Sequence, residues 1–400
     1  MYLVKDIGGA IALMGVSLVL LGTWPVVLAV LERRGRLPQH TYLDYSITNF
    51  LAALLVAFTF GQIGADTPET PNFLTQLTQD NWPSILFAMS GGVFNGLGTL
   101  ATQYGWAFVG LSVTEVMASS LKVVIGTTLN YFLDGRINKA EILFPGVGCF
   151  LIAACLGSLV HSSNAADNQE KLSSAMVNHS NTNGYKLSSS VFHSCEQPKD
   201  CEEQEPEVAP AAQAVEKLEA GTADFLVDLE GKRSIKVLGS NTFLGLGIVT
   251  FAGVSYSLFS PAFNLATNDQ WHTLKGGVPH MVVYTAFFYF SLACFAIGIA
   301  LNIWFLYHPM VGVPRSSLTA YLRDWKGRDL ALVAGMALPL VSTVWGIVLF
   351  GEYRRSSRRT YTLLGSMLFM FVVAMKKKKK KKKLLHMYSS IDLTTSVCSS

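Results

Sequence analysis

Asn95, Gln103, Tyr104, Glu115, Lys122 and Asn130 stand within one otherwise apolar stretch, residues 84–134. Polar groups in such a setting are costly and usually face a cavity or another helix. Glu115 and Lys122 are seven residues apart, two turns along one helical face. A carboxyl there can take up and release a proton, so Glu115 is the candidate proton carrier, with Lys122 as its partner in proton coupling. Amide and aromatic side chains suit a flat, neutral, hydrogen-bonding ring in a mostly apolar pocket. Trp24, Asn95, Gln103, Tyr104, Trp106, Asn264 and Tyr284 are the substrate-binding candidates on that reading. For each, helix packing or core filling is the plain alternative. For Glu115 and Lys122 the alternative is a structural ion pair, or a carboxylate reaching to the interface. His40 and Asp44, at an expected interface, are weaker relay candidates.

Enzyme chemistry has no support in the spacing. No Ser-His-Asp, Cys-His or metal-ligand grouping is present, so no catalytic or metal site is expected. Cys149, Cys155 and Cys294 lie in apolar runs and read as small core residues. Cys195 and Cys201 are six residues apart, the wrong spacing for the common zinc knuckles. Glu230-Gly231-Lys232-Arg233-Ser234 contains Gly-Lys but fails the G-x-x-x-x-G-K-[ST] phosphate-loop pattern.

The elements that must position these residues are membrane helices. The chain has 400 residues, of which 50% are hydrophobic and only 14% charged. Its mean hydropathy is +0.36. The apolar runs are too long and too continuous for strands, which points to an all-α polytopic membrane protein. The net charge of +4 misleads, because residues 376–383 are eight lysines. Without them 23 basic residues face 27 acidic ones, so no nucleic-acid partner is indicated. The 84–134 stretch is long enough for two crossings at about 20 residues each. It is rich in small residues, Gly91, Gly92, Gly96, Gly98 and Gly105 among them, which let membrane helices approach closely.

A first span is expected over 8–31, carrying Pro25 in its second half; it is too long for a signal peptide. Arg33, Arg34 and Arg36 then favour the cytoplasmic side. A second span covers 45–63, and the following loop has Asp66, Glu69 and Asp80 with no Lys or Arg, which suits the outside. The N-terminus is therefore expected outside. Spans three and four are the 84–134 hairpin, and span five is 142–160. Residues 161–240 are rich in Ser, Asn, Glu, Gln and Ala and read as a largely disordered or weakly helical cytoplasmic linker, with a short amphipathic helix available over 211–236. Asn178-His179-Ser180 within it is a sequon that a cytoplasmic loop keeps from the glycosylation machinery. Further spans follow over 242–267, 284–306, 330–351 and, shorter, 361–375. The expected units are thus 1–160, 161–240, 241–375 and a tail over 376–400.

The two halves echo each other. Each opens with a proline-containing span and enters its second span through a proline, at Pro38 and Pro279. Each has an aromatic-acid-basic corner before its final span, Phe132 to Arg136 and Phe350 to Arg354. Five spans per half place the copies upside down relative to each other, an arrangement that puts a transporter's substrate site at the interface of the halves. The spacing differs, however. Pro38 to Asp134 is 96 residues and Pro279 to Glu352 is 73, a deficit of 23, about one span. About nine spans are therefore expected, with the second-half counterpart of the third span missing.

The chain resembles the plant ureide permeases. The matching stretches are GTWP at 22–25, ERRGRLPQHTYLDY at 32–45, LTQDNW at 77–82, ATQYGWAFVGLSVTEV at 101–116 and GTTLNYFLDGRINKAEILFPG at 126–146. To these are added SLFSPAFNLATNDQWHTLKGGVP at 257–279, YTAFFYF at 284–290 and ALPLVSTVWGIVLFGEYRRSSRRTYTLL at 337–364. The resemblance implies ten spans in two inverted five-helix repeats of the drug/metabolite transporter type. It implies proton-coupled import of ureides such as allantoin, and of uracil and xanthine, across the plasma membrane. No cofactor is implied; the proton gradient is the driving force. The implied partners are small neutral nitrogen-rich heterocycles and the lipid bilayer, with a homo-oligomer left open. Two departures stand out. A Gly- and Ala-rich family segment is absent between Gly335 and Ala337, and an unrelated tail follows Met375. Eight consecutive lysines fit a translated adenine tract, as in a spliced or mispredicted product. A non-transporting variant is therefore the alternative to a working permease. A carrier of a phosphorylated solute such as a nucleotide sugar is a third, without the basic pocket it would need.

Overall fold

The structure is a computed structural model. It describes residues 24–62, 66–68, 71–135, 140–182, 222–237, 242–310 and 312–324, with 362 and 366. The described elements are helices: α1 (24–33), α2 (Pro38–Phe58), α3 (Phe73–Leu77), α4 (Trp82–Phe108), α5 (Leu111–Leu133), α6 (Ala140–Thr182), α7 (Ala223–Lys232), α8 (Thr242–Asn268), α9 (Val283–Tyr307) and α10 (Leu318–Arg323). Six of them, α2, α4, α5, α6, α8 and α9, are long and apolar enough to cross a bilayer. The protein is an all-α polytopic membrane protein. The spans expected over 330–351 and 361–375 lie outside the described residues.

Local sequence explains several boundaries. Pro38 begins α2 and Pro83 sits in the first turn of α4, positions whose missing N–H costs nothing. α2 therefore starts at Pro38, ahead of the expected 45, and stops at Phe58. Ser317 caps α10 by accepting from Ala320 N at 3.1 Å. The turn between α4 and α5 is only Val109-Gly110, and Gly110 has φ +93°, a conformation other residues adopt with strain. At the ends of the linker the structure is more ordered than a largely disordered segment, and α7 lies within the short helix expected over 211–236. α6 continues into the linker to Thr182, and α7 with the chain up to 237 is folded against the helices. The 43 residues of α6 span about 64 Å at the usual rise, twice the hydrocarbon thickness, so α6 projects well beyond it.

α4 is the central element. It packs on α8 and α9, while α5 packs on α8 and α6, and α2 on α9. α2 and α9 are the second spans of the two halves, so counterparts meet across the middle. α4 comes close because its small residues leave room. A Cβ at Gly92 would meet the Phe290 carbonyl oxygen at 2.1 Å, one at Gly96 the Ile297 side chain at 2.7 Å, and one at Gly98 the Tyr256 ring at 2.8 Å. In lipid, contacts of this kind replace the hydrophobic drive as the source of helix association. Pro261 inside α8 releases the Ser257 carbonyl from the helix ladder. α5 approaches that oxygen at Gly126, where a Cβ would lie 3.1 Å away.

Contacts between helix ends divide the bundle into two faces. The face that the arginines assign to the cytoplasm is called the inner end. There Arg36 Nη2 donates to Asp44 Oδ2 at 2.5 Å, and Tyr321 Oη donates to Asp44 Oδ1 at 2.8 Å. His40 Nδ1 lies 2.8 Å from Asp324 Oδ2, with Arg36 Nε 3.5 Å from the same oxygen. The end of the linker is threaded into this face. Arg233 reaches Glu32 Oε1 at 3.2 Å and donates to the Ala107 carbonyl at 2.8 Å. Ile235 is fully buried among Tyr42, Leu100, Tyr104 and Val313, and Lys236 N donates to Gly312 O at 2.9 Å. At the outer end Gln76, fully buried, donates to His280 O and accepts from Val282 N, both at 2.9 Å.

Two outcomes test this packing. Gly92→Ala should destabilise the purified protein by about 1–3 kcal/mol through overpacking, while Gly148→Ala, whose Cβ meets nothing within 4 Å, should cost nothing. Thermal unfolding in detergent separates the two. At the inner end, partial burial pushes the Asp324 carboxyl up, but the His40 hydrogen bond and the Arg36 charge outweigh it, and its pKa lies below the ordinary value. A carboxyl lowered on folding stabilises above about pH 3.9, and that stabilisation disappears as the pH falls through the folded pKa. Asp324→Asn should therefore lower the unfolding midpoint at pH 7, and the gap to the parent should close below about pH 4.

Candidate functional site

The tight Val109-Gly110 turn folds α5 back onto α4, so the second turn of α5 faces the last turns of α4. Trp106 and Glu115 meet there: Trp106 Nε1 donates to Glu115 Oε1 at 2.8 Å. Trp106 is buried and Glu115 half-buried. An indole N–H only donates, so it holds a carboxyl oxygen in place without competing for the proton. Trp24 of α1 packs edge-on against Trp106, with centroids 5.6 Å apart. The other side of Trp24 stacks on Tyr45 of α2, at 5.2 Å and 12° between planes. Tyr45 stacks in turn on Tyr42 at 5.6 Å. Three helices thus present aromatic faces beside one carboxyl group.

Lys122 lies two turns further along α5 on the same face. The structural ion pair with Glu115, the plain alternative for these two residues, is not formed; within 4 Å no carboxylate meets Lys122 among the described residues. Its ammonium rests instead over the Phe259 ring at 4.6 Å and the Tyr256 ring at 5.7 Å, both from α8. Tyr256 Oη donates to Thr99 Oγ1 at 3.1 Å and lies 3.3 Å from Thr102 Oγ1, which fixes the ring against α4. Gly98 is the residue whose lack of a side chain admits that ring. Asn95 Nδ2 points to Cys294 Sγ at 3.7 Å, and Cys294 Sγ donates to Gly92 O at 3.0 Å.

The other candidates are dispersed. Gln103 is buried beside Trp106 in a crevice that also includes Leu28, Glu32, Pro38 and Thr41. That crevice holds about 10 Å³, room for one water and not for a ring. Tyr104 points away into the inner-end core against Phe305, centroids 6.4 Å apart, and acts there as packing. Tyr284 begins α9 at the outer end, beside Gly61. Asn264 Nδ2 donates to Asn130 Oδ1 and Asp134 Oδ1, each at 3.0 Å, while its own oxygen accepts from Asn268 and Gln270. Its amide closes the outer ends of α5 and α8 onto each other.

Sequence reasoning missed Tyr45, Tyr256 and Phe259. Tyr256 carried a usable signal, because a phenol in mid-span needs a partner and marks a helix face turned inward. Tyr45 had been placed at a span boundary, since α2 was expected to begin there. Among the described residues no group of His, Cys, Asp and Glu is arranged to hold a metal. The groups brought together are aromatic rings, a carboxyl and a cation, and in this arrangement the rings are packed on one another.

The sequence model of the family described as Ureide permease matches residues 41–337 and 336–377. The two matches meet where the comparison of the halves places the deficit of about one span. Ureide permease 2 of Arabidopsis thaliana is 58% identical over 397 residues, covering 93% of this chain and 96% of the relative. Ureide permease 5 of the same plant is 57% identical, covering 93% and 94%. Probable ureide permease A3 of Vigna unguiculata is 56% identical, covering 90% and 100%. These are names of permeases and not of enzymes. No solved structure matches the chain. With a family model spanning most of its length and relatives above half identity, the chain belongs to the ureide permease family.

Proposed function

We propose that this chain is a proton-coupled secondary transporter that imports ureides such as allantoin, and oxo-pyrimidines and purines such as uracil and xanthine, across the plasma membrane. The observation that carries this reading is the Trp106–Glu115 hydrogen bond at 2.8 Å beside the Trp24–Tyr45 aromatic wall. A carboxylate in a low-dielectric bundle resists movement through it; protonation removes the charge and that cost. A carrier whose Glu115 must be neutral to reorient therefore moves substrate with a proton. Trp24 and Trp106 would meet the flat ring with aromatic surface, and Asn95, about three turns away along α4, would meet the amide edges of substrate at another point of its passage. Asn264 and Tyr284 would act at the outer end, where substrate enters.

A second reading rests on the break in the family match at 336–337. A chain short of one span in its second half would not transport, being retained internally or acting at most through pairing with intact copies. Radiolabelled allantoin and uracil uptake in a transport-deficient yeast, with surface delivery checked, decides between them. Delivery without uptake would sink the first reading. If uptake occurs, it should rise as external pH falls. Glu115→Gln should then reduce it about tenfold or more and flatten the pH profile, whereas Trp106→Phe, which removes one hydrogen bond and leaves the carboxyl, should weaken uptake but keep it pH-dependent.

A further inference from the structure

Lys122 is a cation inside a membrane helix, held in a way that leaves its donors available. An ion pair would satisfy a buried ammonium and have to be broken before any ligand could use it. A ring face attracts the charge without accepting its N–H groups as a carboxylate does. Lys122 Nζ lies 4.6 Å from the Phe259 centroid and 5.7 Å from that of Tyr256. It makes no hydrogen bond among the described residues, and its side chain is half-buried. The platform under it is itself braced. The Tyr256 hydroxyl is engaged by Thr99 and Thr102, and Phe259 packs on Phe290 with centroids 5.9 Å apart. The ammonium thus stands at a defined place on the α5 face that also carries Glu115.

We propose that Lys122 is a substrate-contacting, specificity-determining residue, donating a hydrogen bond to a carbonyl oxygen of the carried ring, rather than a proton-coupling partner of Glu115. The proposal rests on the transport reading above. It names the chemistry the site selects: a ring or open urea with a carbonyl oxygen available to a cationic donor. A thiocarbonyl sulfur is a weaker acceptor, so replacing that oxygen by sulfur should be penalised. The division of labour follows from the geometry, with Glu115 on the Trp106 indole and Lys122 on the α8 rings.

The test uses the full chain, with Lys122→Met and Lys122→Arg. Affinity for allantoin is read twice: as KM for uptake in yeast, and as quenching of tryptophan fluorescence in the purified protein, which needs no turnover. Lys122→Met should weaken both by about 10- to 100-fold, the range for losing a hydrogen bond to a charged group. Lys122→Arg should recover most of that, and the pH profile of uptake should keep its shape in both. Affinity within twofold of the parent in Lys122→Met, or a profile flattened as in Glu115→Gln, overturns the proposal. If Lys122→Met does not reach the membrane, the parent chain still decides. Uracil should compete for binding about tenfold better than whichever of 4-thiouracil and 2-thiouracil replaces the oxygen that Lys122 holds; equal competition by all three overturns the assignment. Lys122-dependent binding without uptake would sink the transport reading alone, and uptake with Lys122-independent affinity would sink this proposal alone.

Discussion

The close approach of α4 to α8 and α9 is the constraint on which the rest depends. Helices in lipid gain nothing from hiding apolar surface from water, so they associate where backbones can come near enough for dense van der Waals contact. α4 achieves this with Gly92 on the Phe290 carbonyl, Gly96 on Ile297 and Gly98 on the Tyr256 ring. Once Gly98 admits that ring, the Tyr256 hydroxyl reaches Thr99 and Thr102, and the ring face is left for Lys122. Once α4 is fixed, the two-residue turn at Gly110 brings Glu115 to Trp106. The site is therefore a consequence of helix packing, and small residues specify it as much as the polar ones do.

Each polar group in the bundle is handled in a different way. Glu115 accepts from an indole, Lys122 lies over rings, Asn264 bonds to Asn130 and Asp134, and Gln76 pairs with the backbone of the loop before α9. The charged residues in ion pairs lie at the ends of the helices, as between Arg36, Asp44 and Asp324 or between Glu32 and Arg233. This separates two jobs. The ends hold strong electrostatic contacts that tie the halves and the linker together. The interior holds charges with weaker, directional partners that a ligand or a proton can outcompete.

Much of the fold was legible because membrane helices announce themselves by length and hydropathy. The spans expected over 242–267 and 284–306 agree with Thr242–Asn268 and Val283–Tyr307 to within a few residues. The start of α2 lies seven residues before the expected 45, because the polar residues after Pro38 hide a first turn that its missing N–H suits. In the linker the short helix expected over 211–236 contains α7, but composition averaged over 161–240 hides how far α6 continues, to Thr182, and the burial of a single residue, Ile235. In the site, the Glu115 and Trp106 pairing could be anticipated from a short turn between two helices. The seat of Lys122 could not, since it depends on a rotation of α8 that brings Phe259 and Tyr256 round to α5, and no local pattern encodes that.

The internal repeat adds one further physical consequence. In the first half, α4 is the third span, and it packs on both α8 and α9 of the second, where α5 meets α8 and α2 meets α9. By inverted symmetry the third span of the second half would dock on the first half in the same manner, against α1 and α2. The family match breaks at 336–337, the place where that counterpart falls short. The aromatic wall built by Trp24 and Tyr45 belongs to α1 and α2. The loss would therefore fall on the wall opposite the intact α4–α5 hairpin, leaving Glu115 and Lys122 in place while removing the helix that should close over them. A deficit of this kind would leave ring binding less impaired than reorientation, because stacking needs one formed wall and alternating access needs two.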